Sequence, residues 1–515
     1  MSTSKTVAAV DLGAESGRVV GVRLDQRSVT EQVVHRFDNV PVQRDGALRW
    51  DIDTLLREIR CGLDLLGADG PVASVGVDTW GLDYGLVDAA GELVDLPISY
   101  RDGRTRDVFE QAIREHGAST FYQGSGIQLL EVNSIFQWLA DVRRPDHRLD
   151  RAAQALLMPD VFHHLLGGDV VTEYTAASTT GAYDVAASVW ATDLLEQVGL
   201  PTHMLPDVVP SGADVGALAT GPDSPAGLRG TRIVVPAAHD TASAVVAVPF
   251  TAPDAMFVSS GTWSLVGVER TSPVIDAASQ RANLTNEGGY DGTIRLLRNV
   301  MGLWLLQECR RQWRREGRDF EYADLVQQAG EQDAEQDGGR SLVDPDHPDF
   351  LTPGDMPTRI REHCAASGQP VPETPGEVSR CVIDSLALGY NAVADDLEPI
   401  LGRRPSAVHI VGGGARNTLL SQLAADVTGL PVHCGPFEAT ALGNGLVQLA
   451  ALGEVKGLDQ IRDLIRSSTD VLTYEPRDTE RWAHARARFR DIRSQTTSMA
   501  TGPAPGPNQH QHRRK

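Results

Sequence analysis

At 515 residues the chain exceeds what one hydrophobic core sustains, so at least two large domains are expected, and 41% hydrophobic against 23% charged residues is ordinary for a water-soluble protein. Its 47 basic and 69 acidic residues leave a net charge of -22, which repels nucleic acid and anionic membrane alike. No apolar run approaches membrane-spanning length, and Lys5 followed by VAAVDLG turns polar too soon for a signal peptide, so a cytoplasmic protein is expected.

In chain order, residues 7 to 24 read as strand, glycine turn, strand, with a third strand near residues 29 to 37 completing an antiparallel meander. A helix follows over residues 54 to 66, and residues 73 to 88 return as strand, sharp turn, strand. Residues 101 to 142 are mostly helical, LLMPDVFHHLL reads as a short helix, and the segments 175 to 192 and 200 to 230 are loop-heavy. The apolar run Ile233, Val234, Val235 reads as a buried strand that breaks at Pro236 and resumes as an Ala-rich helix from Thr241. After Pro249 the pattern restarts with strand, glycine turn, strand over residues 255 to 268. A helix with one apolar face is expected over 299 to 313, an acidic, Pro- and Gly-rich surface excursion over 330 to 357, and a long helix over 377 to 401. Residues 407 to 414 form a buried strand ending in three glycines, 438 to 452 an Ala-rich helix, and 480 to 494 a basic amphipathic helix. The tail MATGPAPGPNQHQHRRK is too rich in Pro, Gly and His to fold. The five cysteines (61, 309, 364, 381, 434) lack CxxC spacing and read as reduced thiols, with only Cys364 and Cys381 sharing a segment.

Placed in register, DLGAES (11 to 16) and SSGTWS (259 to 264) share a glycine at the third position and a serine at the sixth, which suggests two similar domains facing each other across a cleft. In the first of these, Gly13 and Gly17 permit a tight turn whose amides point at an anion, Asp11 can hold a hydrated magnesium ion opposite it, and Ser16 and Arg18 add donors; an ordinary hairpin explains the same glycines. The second turn lacks the acid and can grip phosphate through Thr262. The glycines at 412 to 414 let a ligand approach the backbone at a helix entrance. VDTWGLDYG places Asp78, Trp80, Gly81 and Asp83 on one turn, a ring beside carboxylates that suits a sugar, although core packing for Trp80 and a solvated turn for Asp83 account for them equally. Asp240 lies where a buried strand meets a helix, the place where open α/β sheets carry their chemistry; it either caps the helix or accepts a proton from a bound alcohol. The only lysines are 5, 456 and 515, none of them in a P-loop or kinase-strand context, so phosphate handling must rely on amides, a metal ion and polar side chains.

Together these motifs resemble the FGGY carbohydrate kinases, and within them the branch acting on L-rhamnulose. The match runs from Val7 to about Leu452 through VDLGAESGRV, DTWGLDYGLVD with YRDGRT, HDTASAV, SSGTWSL, NEGGYDG with RNVMGLWLLQ, and VGGGARN. The resemblance implies an α/β fold of two actin-like, ribonuclease H-like domains, residues 1 to 249 and 250 to 497, with a disordered tail from 498 to 515, flanking a deep ATP and sugar cleft. It implies transfer of the ATP γ-phosphate to the 1-hydroxyl of L-rhamnulose in L-rhamnose catabolism, with Mg2+ as cofactor. Asp240 is then the catalytic base, with His239 and Thr241 beside it on the sugar and Trp80, Gly81 and Asn299 as further substrate contacts. Ala14, Glu15, Ser16, Gly17, Arg18, Thr262, Gln307, Gly413 and Gly414 become nucleotide contacts, although periodicity alone makes Asn299 and Gln307 merely polar helix positions. Glu15 departs from the family pattern, in which a small residue is usual, and an acid there weakens ATP binding unless it turns outward or meets the metal. A kinase for another ketose or polyol (fuculose, xylulose, glycerol) would share every phosphate feature and differ around residues 80 to 84 and 239 to 241; a non-catalytic actin-like ATP binder would need no proton acceptor at Asp240. Monomer and homodimer are both compatible with the sequence.

Overall fold

The structure, a computed structural model, describes residues 4–25, 28–332 and 339–500. Two mixed sheets form its frame. In the first, the order is Asp214–Ala217, Arg232–Val234, Ser74–Thr79, Lys5–Leu12, Ser16–Asp25, Ser28–Asp38. The strands Lys5–Leu12, Ser16–Asp25 and Ser28–Asp38 are the expected antiparallel meander, and Ser74–Thr79 lies parallel to the first of them with Asp78 beside Asp11. Lys5–Leu12 and Ser74–Thr79 are apolar and buried over most of their length because sheet neighbours flank them and helices cover their faces.

The second sheet repeats this plan. Met256–Ser260 and Trp263–Arg270 form the hairpin, Ile294–Met301 adds the third antiparallel strand, and Val408–Val411 and Val432–Cys434 extend the sheet in parallel. The repeat expected from the two glycine turns is thus present at the level of topology. The register differs by one residue, however. Leu12 pairs with Gly17 across the first turn, whereas Ser260 pairs with Ser264 across the second, so the second turn is one residue shorter and Ser16 and Ser264 are not equivalent.

The two halves meet through helices. Ala439–Ala451, from the second half, packs on Asp240–Val246 and on the first sheet, and glycines allow the approach: a Cβ on Gly443 would sit 1.8 Å from Ser243 O, and one on Gly445 2.6 Å from Val22 Cβ.

Several expectations change. Residues 294 to 301 are a strand and the helix starts only at Trp304, so Asn299 is a strand residue and not a helix position. Gln154–Leu157 forms a short strand before the helix Met158–Leu165, where helix alone was expected. The excursion over 330 to 357 is not a surface segment throughout: Leu342, Val343 and Phe350 are buried in the second core, and residues 333 to 338 lie outside the described residues. The last helix runs to Ala500, past the expected 494, and the remainder of the tail lies outside the described residues. All five cysteines are free thiols, and the buried Cys364 and Cys381 sulfurs are 4.0 Å apart.

Candidate active site

A cavity of about 350 Å³ opens between the two sheets. The residues singled out from the sequence for the site line it, except Gly17, Gly414 and the fully buried Asp78 and Asp83. The two glycines serve packing: a Cβ on Gly17 would meet the Phe37 ring at 2.3 Å, and one on Gly414 would meet Ser260 Oγ at 2.0 Å.

Three carboxylates gather at one end of the first sheet, Asp11 and Asp78 near the ends of adjacent strands and Asp240 at the start of a helix. Asp11 and Asp78 are register neighbours, and Thr79 forms a bridge with His239, which places Asp240 next in the row. Burial raises the proton affinity of Asp78, and the Asp11 charge adds to it; burial likewise raises Asp240 above the usual carboxylate value, and Asp11 adds there too. Asp78 Oδ2 accepts a 2.6 Å bond from Asn444 Nδ2, while its Oδ1 is buried without a hydrogen-bond partner. A cation faces Asp11 in this row: Arg18 donates from Nε to Asp11 at 2.9 Å and pairs with Glu438 at 2.6 Å. Its guanidinium is therefore shared between two carboxylates and is not a free phosphate donor.

The capping role considered for Asp240 is corrected by the geometry. His239 occupies the N-cap position without a side-chain capping bond, and Asp240 is the first helical residue, its Oδ1 accepting from Thr241 N at 2.5 Å. The segment leading to it is anchored by a buried acid. Glu173 Oε2 accepts from Ala238 N at 3.1 Å and from Thr175 Oγ1 at 2.6 Å, and Thr175 Oγ1 in turn accepts from His239 N at 3.1 Å.

Trp80, on the cavity wall, packs on Trp50 with ring centroids 4.2 Å apart and planes tilted by 42°, and both indole N–H groups donate to Asp83 Oδ2, at 3.0 and 2.6 Å. Gln137 Nε2 donates to the other Asp83 oxygen at 3.1 Å. Asp83 is therefore not the solvated turn residue that the sequence allowed but a fully buried hub, and Trp80 is mostly core, 6% exposed. Leu82 adopts φ of 80°, a conformation unfavourable for a bulky L-residue, held by Ser134 Oγ and Gln137 Nε2 donating to its carbonyl at 2.5 and 3.3 Å.

The second half contributes residues that sequence reasoning missed. Glu287, on the strand Thr285–Gly288, lines the cavity; its Oε2 lies 3.3 Å from His239 Nδ1, and Arg295 NH1 lies 3.1 Å from the same oxygen. Burial alone would raise the Glu287 proton affinity, but the Arg295 charge and hydrogen bonds from His239 and Asn299 hold it below the usual carboxylate value. Gln128 Oε1 accepts from Asn299 N at 2.8 Å and from Asn299 Nδ2 at 3.1 Å, fixing that side chain from the first half. The partner of the partly exposed Glu15 is Arg311, on the helix Trp304–Arg315, which pairs with it at 2.9 Å and also with Glu308.

Comparison with known proteins agrees with this geometry. Residues 6–247 match the family model described as the N-terminal domain of the FGGY family of carbohydrate kinases, and residues 256–452 match its C-terminal domain. The chain is 40% identical over 484 residues to a rhamnulokinase of Bacteroides thetaiotaomicron, covering 94% of this chain and 98% of the relative. It is 39% identical over 481 residues to a rhamnulokinase of Enterococcus faecalis, covering 92% and 95%. Among solved structures, a ligand-bound xylulose kinase from Lactobacillus acidophilus superposes with TM-score 0.75 at 17% identity, covering 97% of this chain and 99% of that one. Plasmodium falciparum glycerol kinase with ADP gives TM-score 0.71 at 14% identity, covering 96% and 98%.

Proposed function

The chain belongs to the FGGY family of carbohydrate kinases, and from that premise we infer that it transfers the γ-phosphate of ATP to the 1-hydroxyl of L-rhamnulose, giving L-rhamnulose 1-phosphate and ADP. The observation that carries this reading is the position of Asp240: a carboxylate at the first turn of a helix, on the wall of one cavity with the glycine turn at residue 13 and with Gly81, His239 and Asn299. The near-complete alignment with rhamnulokinases favours L-rhamnulose over other ketoses.

In this reading ATP lies between the domains, residues 1 to 249 and 250 to 497, with its phosphates against the turns at Gly13 and Gly261 and its remainder toward Gln307 and Gly413. Asp240 orients the sugar hydroxyl and accepts its proton as the new bond to phosphorus forms. An alcohol is a much weaker acid than a carboxylic acid, so the proton moves late, and positioning with charge stabilisation supplies much of the rate. The raised proton affinity of Asp240 suits a group that takes a proton.

A magnesium ion fits the residues present. Asp11 and Asp78 offer oxygens at neighbouring strand ends, Asp78 Oδ1 is buried and unpartnered, and Arg18, shared with Glu438, does not balance Asp11 and Asp78. When bound there through water, the ion would offset phosphate charge. Among the described residues no helix is long and apolar enough to cross a membrane.

The test is ADP release with a panel of ketoses, aldoses and glycerol. L-rhamnulose should give the highest kcat/KM; a higher value for xylulose or glycerol would reassign the sugar, and ADP release independent of any sugar would remove the kinase reading.

A further inference from the structure

Away from the cleft, three metal-ligating side chains converge where the turn Pro348–Phe350 packs on the helix Met356–Ala366. One ligating atom from each of His347, Asp349 and His363 lies within 4.8 Å of the other two. Asp349 Oδ2 is 3.0 Å from His363 Nε2 and 3.5 Å from His347 Nδ1. A tetrahedral ion with bonds of about 2.0 to 2.2 Å needs ligand atoms roughly 3.4 Å apart, so two edges of the triangle already have the required size. The rings are held in place: the imidazoles meet edge to face at 4.3 Å, and the His363 ring lies 4.8 Å from the fully buried Phe350. One carboxylate shared by two histidines is a donor set that suits zinc or cobalt better than magnesium or calcium.

The groups around the triangle allow a cation. Arg106 and Arg359 line the adjoining cavity of about 470 Å³, but Arg106 pairs with Glu131 at 3.5 Å and Arg359 donates to the carbonyls of Asp349, Thr352 and Pro353. Glu362 lines the same cavity and adds a second negative charge. Two bonds must be given up, the 3.0 Å one between His363 Nε2 and Asp349 Oδ2 and the 3.2 Å one from Asp349 N to His347 Nδ1, and both ring nitrogens have to turn to the metal.

We propose that His347, Asp349 and His363 form a binding site for a zinc-type divalent ion, with the cavity side left to water or Glu362. The site lies beside a contact between the two halves. The turn that carries Asp349 also presents Phe350 O to Trp304 Nε1 at 2.9 Å, and the next carbonyl, Leu351 O, accepts from Arg101 NH1 of the first half at 2.9 Å. An ion there ties this turn to its helix and so stiffens a contact between the halves.

The test is calorimetric titration of the full, chelator-treated chain with Zn2+ in excess Mg2+, with Co2+ absorption in the visible as a second readout. His347→Ala with His363→Ala should remove one equivalent of Zn2+ or weaken it by about 100-fold, and the isosteric Asp349→Asn should weaken it at least tenfold with unchanged thermal unfolding of the chelated protein. His510→Ala with His512→Ala, in the tail, should leave that equivalent in place. Binding that follows the tail histidines, survives the His347 and His363 changes, or is missing from the wild type overturns the proposal.

Discussion

The Glu287 carboxylate, from the second sheet, lies 3.3 Å from Nδ1 of His239, whose Nε2 lies 3.4 Å from Asp240 on the first. The side chain next to the proton acceptor is thus oriented from the opposite half of the molecule. Arg295, fully buried, neutralises Glu287 and comes within 3.2 Å of the same His239 nitrogen. Glu287→Gln should raise the KM for sugar about tenfold or more while leaving the KM for ATP nearly unchanged, because His239 and Asn299 lose their common anchor. It should also lower the thermal unfolding temperature, since Arg295 keeps its charge in a buried site without its ion-pair carboxylate. Equal rises in both KM values would place Glu287 in general packing instead.

The pair Glu15 and Arg311 makes a prediction of opposite signs. Glu15 sits in the first phosphate turn and Arg311 reaches it from the second half. Arg311→Met leaves the acid uncompensated beside the triphosphate and should raise the KM for ATP by about three- to tenfold, whereas Glu15→Ser leaves a cation there and should lower it. Steady-state kinetics at saturating sugar measures both.

Packing between the halves is tested at Gly443. Its Cβ would overlap Ser243 O, a backbone atom that cannot rotate away. Gly443→Ala should therefore push apart the helix carrying Asp240 and the helix Ala439–Ala451, costing roughly 1 to 3 kcal/mol. A lower unfolding temperature together with a lower kcat is expected; Gly453→Ala, where nothing lies within 4 Å of the added carbon, tests a positive φ of 78° without any such overlap and should leave kcat unchanged.

A buried acid outside the cavity, Asp160, which accepts from Glu173 N at 3.2 Å, sets a pH dependence. Burial raises Asp160 to about 8, so it is neutral in the fold at pH 7 and ionised in the unfolded chain. Its folded value lies above its unfolded value, so the stability it contributes is full below about pH 4 and is lost as pH rises toward 8. Asp160→Asn mimics the neutral acid. Relative to this variant, the wild type should lose thermal stability between pH 5 and 8; parallel curves would show that Asp160 is ionised in the fold.

Much of the frame was legible because glycine turns between β-branched apolar runs have few alternative structures. Asp11, Gly13, Asp240 and Thr262 could be selected on that basis and do converge on one cavity. Asn299 was assigned to a helix because the apolar run around Val300 and Leu303 fits either period; the break is Gly302, where a Cβ would meet the Trp263 backbone at 2.6 Å. Asp83 could not be recognised as buried, since its partners Trp50, Tyr100 and Gln137 lie 17 to 54 positions away. Glu287 was invisible for the same reason, its function depending on His239 and Arg295 being brought together by two sheets.

The central claim is that Asp240 accepts the sugar proton, and Asp240→Asn tests it most directly. General-base assistance is typically worth about 100- to 10,000-fold, so sugar-dependent ADP release should fall at least about 100-fold, while ATP affinity measured by direct titration stays within about threefold of wild type. Turnover near the wild-type rate in that variant would contradict the assignment.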